Sequence, residues 1–263
     1  MSRMARANRL PVPGGIFHVT HRCHNRQFLL KFSRGMDLYR KLLRARLAHY
    51  PVFLLDYCLT SNHVHLLLDS DDKRHISDLM RDVAGDFARK FNGRKARFNA
   101  FWGDNFHATL VEDGLYLGRC QIYIELNMVR CRVVMHPSEW EWTGYREIMG
   151  ERKRYRLINM DRLCWRLQAL GVVELRKNFE ERLSERMRKN ELTKREPIWT
   201  ESLAVGSASF VKAIQPLVLT RRETEIFQDR EETYVLREHP IAYSPFLHQK
   251  NVSNAITPGG RYE

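Results

Sequence analysis

The chain has no run of about eighteen or more apolar residues, so a membrane-crossing helix is not expected. It has no C-x-x-C pair. Its five cysteines, Cys23, Cys58, Cys120, Cys131 and Cys164, are odd in number. A zinc ribbon and a disulfide framework are therefore both disfavoured, and reduced thiols are the default. Residues 1–9 hold no apolar signal core, so secretion is not expected and a cytoplasmic protein is. No internal repeat or low-complexity stretch is present. Acidic residues are in deficit, with 31 Asp and Glu against 44 Lys and Arg, a formal net charge of +13. Such a balance points to a polyanionic partner, bound through phosphate neutralisation in a salt-dependent way.

What is present supports one large domain with an appendage. At 263 residues and 43% hydrophobic, the chain can build a sizeable core. A Pro-Gly turn at 11–15 introduces a strand over 16–22. A helix is expected from about Met36 to Tyr50, stopped by Pro51, and a strand over 52–59. The turn at Ser61-Asn62 leads into Ser61-Asn62-His63-Val64-His65-Leu66-Leu67-Leu68, a second arm of a hairpin. Ile76, Leu79, Met80, Val83 and Phe87 keep helical spacing, giving a helix over about 75–91 followed by a basic loop at 92–97. Residues 106–111 read as a strand and 115–134 as a long helix. The order strand, helix, strand, strand, helix, strand predicts an α+β fold with a ferredoxin-like split βαβ sheet, a tyrosine-bearing helix following it. Character changes near Glu151. Residues 1–150 form the expected catalytic domain and 151–263 a basic, mostly helical extension. Within it, Leu175, Phe179, Leu183 and Met187 make a thin apolar stripe. Arg176, Lys177, Arg182, Arg186, Arg188 and Lys189 line the rest, a candidate surface for a DNA backbone. Residues 197–220 are expected to be a small helical unit and the last twenty a tail.

The chemistry concentrates in two segments. His63 and His65 share one face of their strand, because strand side chains alternate, while Val64, Leu66 and Leu68 take the other. About sixty residues on, Tyr123-Ile124-Glu125-Leu126-Asn127 places a phenol and an amide four apart, on one helical face. Two imidazoles leave a metal site incomplete, and Asn127 can supply a third, neutral oxygen ligand. Such a site would polarise a phosphate oxygen. A phenol with a pKa near 10 needs that help, or a proton acceptor, to attack phosphorus. Tyr116 and Tyr145 are rivals, but only Tyr123 has an Asn four residues on. Glu125 falls on a different face, which argues against it as a general base. Arg22, His24, Arg26, Arg130 and Arg132 are candidates to grip phosphate; Asp104, Asn105 and His107 receive no role.

These residues carry a resemblance. Gly14-Gly15-Ile16-Phe17-His18-Val19-Thr20-His21-Arg22, Asn62-His63-Val64-His65, Phe101-Trp102-Gly103-Asp104-Asn105-Phe106, Tyr123-Ile124-Glu125-Leu126-Asn127-Met128-Val129-Arg130 and Trp140-Glu141-Trp142-Thr143-Gly144-Tyr145 together resemble the HUH-class single-strand tyrosine transposases. Among these, they are most similar to the branch of the IS200-like family associated with repetitive extragenic palindromes (REP) in bacteria. The match spans about residues 10–150. The resemblance implies that Tyr123 attacks a phosphate of single-stranded hairpin DNA, leaving a 5′-phosphotyrosine link and a free 3′-hydroxyl. It implies that His63, His65 and Asn127 hold a divalent metal. The family and phosphate chemistry lean to Mg²⁺ or Mn²⁺, and imidazole ligands suit Mn²⁺ better. It implies a bacterial protein, monomeric rather than dimeric, that reads palindromic hairpins by stacking and backbone contact. One departure is Met128, where the family has Pro in Asn-Pro-Val-Arg. Two other readings compete. One is a domesticated DNA-binding protein that no longer cleaves. The other is a metal-independent two-histidine phosphoesterase, suggested by His18-Val19-Thr20, although the second H-x-S/T half is missing.

Overall fold

Period-two alternation builds the centre of the molecule. The computed structural model describes residue 12 and residues 14–188, 195–220, 222–230 and 232–238. The first six elements are β1 (Gly15–Arg22), α1 (Ser33–Leu47), β2 (Val52–Leu59), β3 (His63–Ser70), α2 (Lys73–Lys95) and β4 (His107–Val111). The strands lie in the order β2-β3-β1-β4, all antiparallel, which is the expected ferredoxin-like arrangement. Phe17, Val19, Val64, Leu66 and Leu68 are fully buried on one face. There α1 brings Met36, Tyr39 and Leu43, and α2 brings Ile76, Leu79, Val83 and Phe87. Each such apolar side chain stabilises the fold by about 1.5–3 kcal/mol. Asp72 starts α2 by accepting the amide of Arg74 at 2.8 Å. This helix is longer than its apolar spacing shows and takes in the basic segment expected as a loop, ending at Ala96 with φ 47°.

The opposite face of the same sheet is polar. In register, Thr20 sits opposite His65 and Arg22 opposite His63, while His107 and Thr109 face Thr20 and His18. Partners directly opposite in a ladder share a face, so these side chains form one platform. Two pieces of helix cover it: α3 (Leu115–Glu125) and α4 (Asn127–Arg130). The single long helix expected over 115–134 is thus shorter and interrupted. Its end is set by Arg132, which takes φ 56°, while the Val133 amide reaches back to the Met128 carbonyl at 3.0 Å. That is the bond of a Schellman stop. Past α5 (Tyr145–Ile148), α6 (Met160–Arg166) and α7 (Val172–Arg188), the chain returns to the platform through α8 (Ile198–Glu201).

The extension is less helical than its composition suggests. β5 (Ala204–Gly206) pairs in parallel with β4, α9 (Ala208–Ile214) follows, and β6 (Thr224–Arg230) and β7 (Thr233–Glu238) complete a seven-stranded sheet, β2-β3-β1-β4-β5-β7-β6. In a four-stranded ferredoxin-like sheet β4 would be an open edge, and the extension covers it by pairing. The apolar stripe of α7 lies as its spacing predicts, with Leu175, Phe179 and Leu183 buried. Several cations of that helix are used within the molecule: Arg176 donates to the Ile148 carbonyl at 2.8 Å, Arg182 lies against Gly118 and Arg186 pairs with Glu196. Lys189 and the expected tail lie outside the described residues. Among the described residues no helix is long and apolar enough to cross a membrane.

Candidate active site

Strand alternation and helix placement bring together the four residues singled out from sequence. His63 Nε2 and His65 Nε2 lie 2.8 Å apart, and the Asn127 side-chain amide lies 2.9 Å from His65 Nε2. The Tyr123 ring stands edge-on to His65, with centroids 6.0 Å apart. His65, Tyr123 and Asn127 are buried. Tyr116 and Tyr145, the rivals, lie elsewhere. Tyr116 donates to the Glu232 carbonyl at 2.8 Å, and Tyr145 packs on His136 and Phe179. Glu125 does turn away from the site. It is fully buried beside Asp56 and accepts the hydroxyl of Thr143.

Electrostatics keep the imidazoles neutral. Burial pushes His63 down to about 3, helped by the nearby Arg22, and pushes His65 well below the ordinary imidazole range, helped by His63. Neutral imidazoles with free lone pairs are what a metal requires. Among the described residues no three His, Cys, Asp or Glu side chains gather to hold a metal, so a cation here would rest on two ring nitrogens and the Asn127 amide. The converging donors fit that role. Burial raises the Tyr123 phenol above its usual pKa, and Arg130 pulls the other way. The Arg130 guanidinium lies over the Tyr123 ring, 4.0 Å from its centroid, and donates to the Tyr123 carbonyl at 2.8 Å.

Two clefts flank the tyrosine. One, of about 610 Å³, is lined by Arg22, His24, Arg26 and Asn105 from the ferredoxin-like part and by Arg195 and Arg222 from the extension. The other, of about 570 Å³, is lined by Tyr123, Arg119, Arg130 and Arg182. In the first, Arg195 and Arg222 pair with Glu201 and Glu238, which leaves Arg22 and Arg26 to face a polyanion; in the second, Arg119, Arg130 and Arg182 stand beside Glu185, Glu196 and Asp229. Arg132 is exposed and lines neither.

Two participants were not legible as such. His18 lies in the site, with Nε2 2.9 Å from His65 Nδ1 and Nδ1 2.7 Å from the Trp199 carbonyl. The alternation of His18, Thr20 and Arg22 on one face was a usable signal for it. Trp199 packs near Tyr123, with centroids 6.3 Å apart, and nothing in the sequence marked it. With both ring nitrogens engaged, His18 has none left for acid–base work on a substrate, which argues against the two-histidine phosphoesterase.

The remaining motif segments are structural. Trp140 donates to the Leu59 carbonyl at 2.9 Å, Leu59 donates to the Trp142 carbonyl at 2.8 Å and the Gly144 amide donates to the Tyr57 carbonyl at 2.9 Å. Together they pin the end of β2 beside the histidines. A Cβ on Gly144 would sit 2.0 Å from Asp56 Oδ1, so only glycine fits there. Trp102 stacks on His21, centroids 4.2 Å apart.

Residues 12–127 match the family model described as transposase IS200 like. Over those residues, somewhat less than half of the chain, it is similar to the IS200-like transposases. The match starts before β1 and ends on Asn127, so it contains all four predicted site residues and leaves out the extension. A solved structure described as a REP-associated tyrosine transposase bound to a REP hairpin is also similar. It is 18% identical, covers 57% of this chain and 86% of its own, and gives a TM-score of 0.47. No curated protein matches the chain.

Proposed function

We propose that this chain is an IS200-like transposase that cleaves and rejoins single-stranded hairpin DNA through a covalent phosphotyrosine, with Tyr123 as nucleophile and His63, His65 and Asn127 as ligands of a divalent cation. The observation that carries the reading is the convergence of two imidazole nitrogens, 2.8 Å apart, and one amide, with the Tyr123 ring edge-on to them. A bound Mg²⁺ or Mn²⁺ would supply Lewis acidity toward the phosphate, and the nitrogen-rich donor set suits Mn²⁺.

The chain's own residues do the rest. Arg130 over the Tyr123 ring favours phenolate, offsetting part of the cost of burial. The Tyr123 oxygen attacks phosphorus and forms a P–O bond. The P–O bond to the 3′-oxygen breaks, and that oxygen leaves and takes up a proton as a free 3′-hydroxyl. The link is a phosphodiester, so reversal by another 3′-hydroxyl rejoins the strand without an external energy source. Arg22 and Arg26 on one side, and Arg119 and Arg182 on the other, line clefts that a DNA backbone can follow. All four proposed site residues come from one chain, so a monomer is sufficient.

A second reading has one observation in its favour. Tyr123 is only 5% exposed and is packed against Trp199 and Arg130, as it would be in a binding protein that never cleaves. One experiment separates the two. Wild type incubated with a single-stranded hairpin oligonucleotide and Mn²⁺ should give a slower-migrating protein–DNA species on a denaturing gel, and Tyr123→Phe should not. Retention of the hairpin by both proteins, with no adduct from either, would favour the binding protein.

A further inference from the structure

The hydrogen bonds around the histidines have a fixed direction, and following it assigns a role to His18 and, through it, to the extension. A carbonyl oxygen only accepts. The Trp199 carbonyl, 2.7 Å from His18 Nδ1, therefore requires a proton on that nitrogen. His18 is fully buried and its ring nitrogens meet a carbonyl and another imidazole, neither of which balances a buried positive charge, so its ring is neutral and Nε2 carries a lone pair. That lone pair accepts from His65 Nδ1 at 2.9 Å, which places the His65 proton on Nδ1. His65 Nε2 is then bare and faces His63 and Asn127.

The same reasoning runs independently on His63. The Asn62 amide nitrogen donates to the Arg26 carbonyl at 3.1 Å, so its oxygen is the atom 2.6 Å from His63 Nδ1. That oxygen takes the Nδ1 proton and leaves His63 Nε2 bare as well. Two lone pairs then face each other across 2.8 Å, an arrangement that repels unless a cation lies between them. The Asn127 side-chain nitrogen donates to His65 Nε2 at 2.9 Å, and turning that amide over would bring its oxygen into the donor set.

We infer that His18, held by the Trp199 carbonyl, is a positioning residue that locks His65 in its Nδ1–H tautomer with Nε2 aimed at the cation. Metal-binding histidines commonly donate their second N–H to a carboxylate, carbonyl or water; here the acceptor is another histidine, anchored 181 residues away in the chain. The extension thereby reaches the metal ligands through one ring. The assignment of a cation rests on the proposed function; the direction of the hydrogen bonds does not.

The test uses the full-length protein and has two readouts. In ¹⁵N-histidine-labelled, metal-free wild type, long-range ¹H–¹⁵N spectra should show His65 protonated at Nδ1. An Nε2–H His65 would overturn the inference with no variant needed. For Mn²⁺ affinity, read from the free-ion EPR signal, His18→Leu should bind about 10- to 100-fold more weakly. His18→Gln should recover most of the loss, since its amide can donate to Trp199 and accept from His65. Equal Mn²⁺ affinity in wild type and His18→Leu, with matching circular dichroism, would contradict the positioning role. A wild type that binds no Mn²⁺ but shows the Nδ1–H tautomer would sink the metal reading while leaving the His18 lock standing.

Discussion

Two polar clusters are buried on different sides of α3, and they differ in what their hydrogen bonds connect. Glu147 accepts from the Tyr57 hydroxyl at 2.8 Å, from the Leu157 and Ile158 amides at 2.6 and 3.0 Å, and from Arg40 at 3.3 Å. Asp56 takes the Tyr57 amide at 2.7 Å, and Glu125 takes Thr143. Burial, then the neighbouring Glu125, holds Asp56 well above the carboxylate range, so that pair carries less than its full charge. This cluster ties β2, α3 and α5 together. The histidine cluster on the other side is directed outward to one point, its hydrogen bonds leaving two lone pairs face to face. Equal burial thus marks a structural joint in one case and a reactive site in the other. The distinguishing feature is that the carboxylates bond backbone amides of the surrounding segments, whereas the imidazoles converge on one another.

The largest expected effect breaks only the histidine side. Tyr123→Phe or His63→Ala should reduce the protein–DNA adduct below detection while circular dichroism and the urea midpoint stay close to wild type, because neither change leaves a buried charge unpaired. Damage to the carboxylate side should do the reverse. Glu147→Ala strands two buried amides, a phenol and a guanidinium, and should cost about 3–5 kcal/mol of stability in urea titration. If Glu147→Ala kept full stability, the division into joint and site would be wrong.

Acidity sharpens the same contrast, because the two clusters titrate in opposite senses. His18 and His63 lie near 3 and His21 near 4 when folded, against 6.5 in the unfolded chain, mainly through burial. Their contribution is complete above about pH 6.5 and is lost as pH falls toward 3. Burial raises Glu125 from 4.5 to about 7, so its contribution is complete below 4.5 and is lost as pH rises to 7. Lowering pH from 7 to 5 costs each buried histidine on the order of 2 kcal/mol and returns a comparable amount at one glutamate. Burial depresses His65 as well, so four histidines stand against the raised Asp56–Glu125 pair and outweigh it. Stability in chelator should therefore fall from pH 7 to 5, and more steeply in Glu125→Gln; a rise would show that the histidines are not held neutral.

The smallest effect concerns the basic face of α7. With Arg176 and Arg186 bonded internally and Arg182 lining the cleft beside Tyr123, only Lys177 and Arg188 stand exposed among the cations read from sequence and described here. Lys177→Ala with Arg188→Ala should lower hairpin affinity only a few-fold at moderate salt and reduce the salt slope by about 1–2. An unchanged slope would remove these two exposed cations from the interface and leave Arg182 as the contribution of this helix.

How legible all this was depended on the range of the interaction. The hairpin of β2 and β3, the helices on the apolar face and the pairing of Tyr123 with Asn127 follow from periodicity within about twenty residues. His63 and His65 were readable because a period of two fixes their common face. His18 was visible as a polar residue in an apolar strand, but its role depends on Trp199, whose position only the folded chain reveals. β5 is three residues long and has no period to detect. β6 has weak apolar alternation because much of its surface is exposed, and β7 buries Thr233, Val235 and Leu236 without a period of two. The stop near Arg130 was missed because it relies on Arg132 in a left-handed conformation, which a non-glycine residue rarely adopts.

The most direct measurement is anomalous diffraction from crystals of the full chain grown with Mn²⁺. The account predicts one strong peak at bonding distance from His63 Nε2, His65 Nε2 and an Asn127 amide turned to present Oδ1, beside the Tyr123 ring. Manganese bound elsewhere, or a cluster that stays metal-free at saturating Mn²⁺ with the two imidazoles turned apart, would contradict it.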